Sequence, residues 1–521
     1  MSRLNYLAGL TAVLAMLVLF YALLPLGSAL EFGGDEGIEL IKGFMCSKGF
    51  ALYKDIWNDQ PPLFTVLLAA GFKAFGPSLL AARLIAAGFG LLLFGVVYSL
   101  VSQRAGMRAA FLATCLLLAS PNITLLSASV MLEVPAIATA LLAACLLFHW
   151  QKRPHCGWLL ASGIVMGIAL QIKVTAILIA PAILTEIILT VQSGHREPWW
   201  KTSLRNVSQW ATVTVVVVAI VGAIWARGSF QSSWKSHFSE QVASGMGGPE
   251  DFPFQTSLFG DHIECVAAAA VGIWLMARQR RWSMLAFPMA LLSTALAIHA
   301  VHRPWWTYYY LHLAVPLAWL AGVAASEAIL VFSRLLSASH FHLSSSRTWK
   351  GIALCALTAL VLVRSERRFE AEFSELRRCP RADSDPTVIK MKEYAKRSRW
   401  VYSQREVYAF HARLPMPPEL TAVVLKRFWS NQLTVGEMVE ICRRYQVDQV
   451  MLKPAMIRAE WQGFLRDFVV MHQDKDTVLF VAKRLVGDSE KAPEPAPGDG
   501  KRNRSDRGLA PEMDPKIRTR S

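Results

Sequence analysis

The sequence is poor in charge, and its cysteines form no recognisable framework. Charged residues make up 18% of the 521 positions, whereas hydrophobic residues make up 54%. The eight cysteines are scattered, with no CxxC pair and no Cys/His metal spacing, and no internal repeat recurs at a fixed period. These absences argue against a soluble globular protein, a disulfide-stapled scaffold and a repeat solenoid.

Long apolar runs fill the first two thirds of the chain. A hydrocarbon core of about 30 Å requires helices of roughly 17 to 25 apolar residues, so these runs predict a mainly α, polytopic membrane protein with about eleven transmembrane helices. The predicted spans are Leu4–Leu30, Leu79–Val101, Met107–Ser120, Ser129–Phe148, Trp158–Leu170, Val174–Val191, Ser208–Trp225, Ile263–Ala277, Met284–Ala300, Tyr308–Phe332 and Gly351–Val363. A cleaved signal peptide is the alternative for the first run, which is longer than the usual signal core.

The formal net charge of +16 does not point to nucleic acid in this chain. Lys and Arg lie largely in the C-terminal third and in short loops between apolar runs, where they orient a membrane protein. Their distribution predicts a multi-pass protein of the cell (inner) membrane with a cytoplasmic N-terminus. An odd number of spans then puts the first loop and the C-terminal region on the extracytoplasmic side.

The composition changes after residue 364. We expect a transmembrane module at 1–364, which includes a first extracytoplasmic loop with interface helices at 31–78, and then a charged linker at 365–384. Strand-like RWVYS, DQVMLK and TVLFVAKR, with the helical VGEMVEICRRY among them, predict a small α/β extracytoplasmic domain at 385–486. The tail at 487–521 is rich in Pro, Gly and charge, which is typical of disorder.

The first loop is the only long polar interval within the apolar part of the chain. It concentrates carboxylates where the chain leaves the first predicted span, and ionisable groups at a membrane border indicate function. The loop reads EFGGDEGIELIKGFMCSKGFALYKDIWNDQPPLF.

A series of motifs resembles the protein-mannosyltransferase-like branch of the GT-C glycosyltransferases, which includes glycosyltransferase family 39 and the aminoarabinose transferases. In chain order they are DEG, YKDIWNDQPPLF, FGPSLLAARLIAAGFG and PWWTYYYLHLAVPLAWLAG, and the resemblance covers about residues 4–325. It implies a multispan enzyme that takes a sugar from a polyprenyl-phosphate donor. The sugar would pass, with inversion, to an extracytoplasmic lipid, glycan or protein acceptor.

The resemblance also implies roles for particular residues. Asp35 and Glu36 fall where the family places its catalytic carboxylate. Asp59 precedes the proline pair, where aminoarabinose transferases have a metal-contacting Glu. In two departures, Gln60 replaces the Lys that those enzymes carry before the prolines, and Glu133 stands where relatives often have Asp.

Such a transfer needs a base for the acceptor's proton and cations for the departing phosphate. Asp35 is the candidate base, and Glu36 would orient Asp35 or the acceptor. The alternative is that this pair caps the helix beginning at GIELIKGF. Lys173 and Arg303 are the candidate donor-phosphate ligands, and the alternative for each is a side chain that snorkels to lipid headgroups.

Three other signals are less specific. Asp59 and His237 are candidate ligands for a divalent metal ion, although an ordinary interfacial histidine explains His237 as well. Glu133 needs a water-filled cavity or a cation partner, which can be functional or structural. The aromatic cluster in PWWTYYY is suited to line a groove for sugar or polyprenyl, or simply to anchor a span.

Two other classes of protein remain open at this stage. A secondary transporter would show two related halves with interrupted helices, whereas this sequence has one large asymmetric outer loop. A non-catalytic membrane protein of envelope assembly would share the spans but would turn over no sugar donor.

Overall fold

The computed structural model describes most of the chain: residues 3–191, 198–225, 254, 257–302, 304–337 and 346–486. Contacts divide it into two compact units. One comprises Met1–Glu36 and Asn58–Cys379, and the other comprises Gly37–Trp57 and Pro380–Ser521.

The first unit is helical. The helices in chain order are α1 (Arg3–Ala22), α2 (Glu36–Ser47), α3 (Leu63–Phe75), α4 (Leu79–Ala105), α5 (Met107–Leu118), α6 (Ile123–Ala128), α7 (Glu133–Lys152), α8 (Cys156–Ile172), α9 (Ala180–Val191), α10 (Trp199–Trp225), α11 (Ser257–Asp261), α12 (Ile263–Arg278), α13 (Trp282–Val301), α14 (Leu311–Ser337) and α15 (Ser346–Arg377). Helix α2 begins in this unit, at Glu36, and continues in the second unit. Two 3-10 turns, Val174–Ile179 and Thr307–Tyr310, precede α9 and α14.

The structure confirms a polytopic membrane fold. Within the described residues, six helices are long and apolar enough to cross a bilayer: α1, α4, α7, α10, α13 and α14 with the turn before it. Shorter apolar helices include α3, α5, α8 and the segment Val174–Thr190. Each of the eleven predicted spans coincides with a helix, although α1 stops at Ala22 rather than continuing to Leu30. Pro25 explains the early end because proline disfavours helix at the preceding residue and supplies no N–H.

Two glycines let α14 pack closely at the centre of the bundle. A Cβ at Gly322 would lie 2.7 Å from the backbone nitrogen of Ala113 in α5. A Cβ at Gly272 in α12 would overlap the carbonyl oxygen of Leu320 in α14. Such close approach is the usual use of small residues where membrane helices meet.

The charged stretch expected to be a linker at 365–384 begins as a continuation of the last span, α15. Arg368 donates to the Glu264 carboxylate at 2.6 Å, and Glu264 is only 2% exposed. One turn later, Glu372 accepts a hydrogen bond from the backbone N–H of Asn122 at 2.9 Å. These contacts attach this part of α15 to the first unit.

The second unit contains a four-stranded sheet with the order β1-β2-β4-β3, in which only β1 and β2 are parallel. Its elements are α16 (Pro386–Ala395), β1 (Val401–Ser403), α17 (Glu406–His411), α18 (Leu425–Trp429), α19 (Val435–Arg444), β2 (Gln449–Leu452), α20 (Ala459–Leu465), β3 (Phe468–Gln473) and β4 (Val478–Ala482). The three predicted strands and the predicted helix are confirmed, and β3 is an additional strand.

Part of the first loop, Gly37–Trp57, belongs to the second unit rather than to the transmembrane module. The rings of Phe44 and Phe410 meet edge to face at 6.2 Å. Trp57 ends the segment and donates from its indole nitrogen to the side-chain oxygen of Gln432 at 3.0 Å. Aromatic burial and this hydrogen bond hold the segment against residues that are distant in sequence.

Candidate active site

The α7–α8 hairpin brings a buried carboxylate and a buried lysine together. Glu133 is the first residue of α7, and Lys173 follows the last residue of α8, so the two lie at the same end of the hairpin. Their side chains form an ion pair with both groups almost inaccessible, at 3% and 6% exposure. Each charge also suits its helix end, since acids stabilise the N-terminus and cations the C-terminus.

Two tyrosine rings form a wall beside the Lys173 ammonium. Its nitrogen lies 4.7 Å from the ring centre of Tyr308 and 5.5 Å from that of Tyr309, within the range of cation–π attraction. Burial lowers the pKa of Lys173, but the nearby Glu133, Tyr309 and Asp35 groups outweigh that effect, so the pKa is raised. Lys173 therefore remains a cation despite its burial.

The charges of two acids of the first loop act on the same wall. Asp35 is exposed, and its charge acts on both Lys173 and Tyr308. Asp59 is buried and its charge also acts on Tyr308. The fold thus brings the charges of Asp35 and Glu133 to act on Lys173, and that of Asp59 to act on Tyr308, although these residues are far apart in sequence.

Glu36 is buried, unlike its exposed neighbour Asp35. Both of its carboxylate oxygens are fully occupied within the first unit, where the side chain is 0% exposed. Arg83 donates to them from Nε at 2.9 Å and from Nη2 at 2.8 Å. The backbone N–H groups of Phe32 and Val130 donate at 2.8 and 3.1 Å. Four donors fill the hydrogen-bonding capacity of a carboxylate, so in this arrangement Glu36 holds in place the residues that precede Asp35.

Two predicted site residues, Arg303 and His237, lie outside the described residues. The proposed metal pair of Asp59 with His237 therefore stays a prediction. In the described part of the chain, no group of three or more His, Cys, Asp or Glu side chains is arranged to hold a metal ion.

Arg83 was not predicted as a site residue, although it binds Glu36 and lies in the middle of the apolar motif AARLIAAG. An arginine inside a membrane span requires a partner, and that was the available signal. His299 and His312, which are buried against Tyr309, were not predicted either. Their signal was weaker, because a histidine on an apolar helix is often a core residue.

This arrangement suits a reaction at a membrane border. Asp35 is an accessible carboxylate able to take a proton. Lys173 is a cation held against an aromatic wall, where it can face an anion such as a phosphate. Glu133 neutralises Lys173 in the arrangement described and would compete with that anion.

The helical bundle and the small sheet define a class of protein. Residues 59–225 match the family model described as dolichyl-phosphate-mannose-protein mannosyltransferase. The fold is similar to that of ArnT from Cupriavidus metallidurans bound to undecaprenyl phosphate, with a TM-score of 0.64 at 15% identity over 93% of this chain and all of that one. These matches agree with the resemblance: the chain has a GT-C-type fold like that of ArnT, part of it matches a mannosyltransferase family model, and it is a multi-pass membrane protein.

More distant similarity extends to the oligosaccharyltransferase of Archaeoglobus fulgidus. Its apo form matches with a TM-score of 0.54 at 14% identity, over 88% of this chain and 71% of that one. The archaeal AglB complex with an inhibitory peptide and a dolichol-phosphate matches with a TM-score of 0.51 at 13% identity, over 88% and 70% of the two chains. A comparison with curated proteins returns no significant match.

Proposed function

We propose that this chain is a membrane glycosyltransferase that moves a sugar from a polyprenyl-phosphate-linked donor to an extracytoplasmic lipid, glycan or protein acceptor. The observation that carries the proposal is that a buried ammonium, Lys173, lies against the wall formed by Tyr308 and Tyr309 within the electrostatic reach of an accessible carboxylate, Asp35. The family match and the undecaprenyl phosphate bound to the similar ArnT support the choice of donor.

The reaction is a single displacement. Asp35 takes the proton from the acceptor hydroxyl as its oxygen attacks the anomeric carbon of the sugar. The bond from that carbon to the phosphate oxygen breaks, and the electron pair leaves with the polyprenyl phosphate. Lys173 binds this phosphate, whose negative charge grows as the bond breaks, so the ammonium stabilises the transition state more than the bound donor. Attack opposite the leaving group inverts the anomeric configuration.

The proposal includes roles for the other predicted residues. Arg303 is a second ligand of the donor phosphate, and Glu36 with Arg83 supports the backbone near Asp35. The cell (inner) membrane, a cytoplasmic N-terminus and an extracytoplasmic second unit complete the arrangement. A phosphatase reporter fused after residue 521 tests this orientation, because it is active only outside the cytoplasm.

Turnover of the donor tests the reaction directly. Purified protein in lipid nanodiscs is incubated with a panel of polyprenyl-phosphate sugars, both hexoses and pentoses, and with lipid, glycan and peptide acceptors. Release of free polyprenyl phosphate is measured together with labelling of the acceptor. We expect at least one donor to react, and we expect Asp35→Asn to slow the reaction by about 10²- to 10⁴-fold, the usual contribution of a general base.

The matched control is Asp383→Asn, which removes a carboxylate with an 81% exposed side chain from the second unit. It should leave the rate unchanged. Full turnover by Asp35→Asn would remove Asp35 as the base. Movement of an unmodified sugar across proteoliposomes, without release of polyprenyl phosphate from any donor, would instead support a transporter.

A further inference from the structure

Two buried histidines on consecutive spans contact each other behind the tyrosine wall. His299 lies near the end of α13 and His312 near the start of α14, and each is 2% exposed. The Nε2 atom of His299 is 3.2 Å from the Nδ1 atom of His312. His299 also stacks on Tyr309, whose ring centre lies 5.5 Å from the Lys173 nitrogen, so this pair is close to the candidate site.

The hydrogen bonds assign the protons on both rings. Nδ1 of His312 also lies 3.0 Å from the carbonyl oxygen of Tyr309. A carbonyl oxygen only accepts, so Nδ1 of His312 must carry a proton. The facing Nε2 of His299 then accepts from the same N–H and carries no proton itself. His299 is thus neutral, and the burial of His312 beside a lysine favours the neutral form of that ring as well.

Both histidines contact Tyr309. His312 holds its backbone carbonyl, and the ring of His299 stacks on its phenol ring at 5.3 Å with an angle of 18° between the planes. Tyr309 in turn stands beside the Lys173 ammonium. A chain of contacts therefore runs from the histidine pair through Tyr309 to Lys173.

We propose that His299 and His312 are positioning residues that fix Tyr309, and through it keep the Lys173 ammonium where it binds the donor phosphate. The inference rests on the proposed function and deepens it. A displacement of about 1 Å at a reacting group can cost up to about 100-fold in rate, so the position of this ring matters. The histidines themselves do not touch the substrate.

Variants of His312 separate this role from others. The side-chain amide of Asn puts an N–H near the place of Nδ1, whereas that of Gln reaches the place of Nε2. We expect His312→Asn to keep the bond to Tyr309 and to stay within about 3-fold of the wild type, whereas His312→Gln and His312→Phe lose about 10- to 100-fold. His299→Leu leaves the bond to Tyr309 but removes the stacked ring, so it should lose less.

The quantities measured are kcat for sugar transfer and, independently of turnover, the affinity for undecaprenyl phosphate itself. The matched control is His149→Phe. His149 also bonds a backbone carbonyl through Nδ1, that of Cys145 at 2.8 Å, but is exposed and lies sixteen residues after Glu133 on α7, roughly 24 Å away along the helix. It should change neither quantity.

The outcomes are distinct. Rescue by Asn and not by Gln, in kcat and in affinity, supports the inference. Rescue by Gln and not by Asn would assign the function to Nε2 of His312 and overturn it, as would wild-type values in every variant. If all His312 variants fail to fold, wild-type values in His299→Leu would still contradict it. Failure of the wild-type protein to bind undecaprenyl phosphate would remove the proposed function and this inference with it, whereas equal binding by all variants would remove only the inference.

Discussion

The substitution Glu36→Gln should destabilise the first unit rather than remove a chemical group. Glutamine has the shape of glutamate, so the change isolates the charge. It replaces one acceptor oxygen by an NH₂ group, which would face donors from Arg83 or from the backbone. Arg83 is 0% exposed and would keep its charge with only neutral acceptors, the remaining amide oxygen of Gln and the carbonyl oxygens of Leu26 and Ala29 at 3.0 and 3.1 Å.

The expected size follows from that burial. Removing one partner of a buried ion pair costs about 3–5 kcal/mol, because the other charge is left without compensation. A typical protein is stable by only about 5–15 kcal/mol, so the loss should be visible as a lower melting temperature and a lower yield of monodisperse protein in detergent. The double variant Glu36→Met/Arg83→Met removes both charges and should be more stable than Glu36→Met or Arg83→Met alone. Thermal unfolding followed by tryptophan fluorescence measures the melting temperatures of these three variants, of Glu36→Gln and of the wild type.

The control is an ion pair with the same chemistry in an exposed place. Lys390 and Glu393 lie 2.8 Å apart with side chains 39% and 43% exposed. Such surface pairs contribute about 0–1 kcal/mol, so Glu393→Gln should barely change the melting temperature. If Glu36→Gln melts like the wild type but has lost sugar transfer, the structural assignment is wrong and Glu36 acts in the chemistry.

Three other predictions follow from the same structure. Glu133→Gln should tighten binding of undecaprenyl phosphate about 10-fold, because it removes the carboxylate that competes for Lys173, and Lys173→Gln should weaken the binding by at least as much. Titration of both variants with undecaprenyl phosphate measures these affinities, and unchanged values would refute the prediction. Arg368→Ala leaves the buried Glu264 carboxylate with Arg364, at 3.4 Å, as its remaining cation, and should cost about 1.5–3 kcal/mol in a thermal unfolding assay. An unaltered melting temperature would contradict that account of α15. If Asp59 helps to bind a divalent ion, EDTA should abolish transfer and added Mg²⁺ or Mn²⁺ should restore it, whereas full activity after chelation would exclude that metal.

Much of the fold could be predicted because its signals are local. A run of apolar residues long enough to cross a bilayer becomes a helix wherever it lies in the chain, since the backbone must satisfy its own hydrogen bonds there. The helix α19 carries its own start signal: Thr434 and Glu437 form a reciprocal capping box, with Glu437 accepting the backbone N–H of Thr434 at 2.7 Å. The end of α1 was misjudged because the apolar run outweighed the local effect of Pro25.

The candidate site was only partly predictable. The acids of the first loop and Lys173 stood out because charge is rare in the apolar part of the chain. Glu133 was expected to need a water-filled cavity or a cation partner, but nothing in the sequence showed that its partner is Lys173, 40 positions away. The structure likewise separates Asp35 from Glu36, two neighbours in the sequence that have an exposed and a buried environment.

The sequence by itself determined that this is a helical membrane protein with an acidic first loop and a small α/β region, because the length and periodicity of apolar runs act over a few turns. Only the tertiary structure decided which charges meet. Glu36 pairs with Arg83 across 47 positions, and Gly37–Trp57 leaves the transmembrane module to join the second unit. The physical reason is that a buried charge or aromatic ring is stabilised by whichever complementary group the packing brings near, and this choice depends on the whole chain.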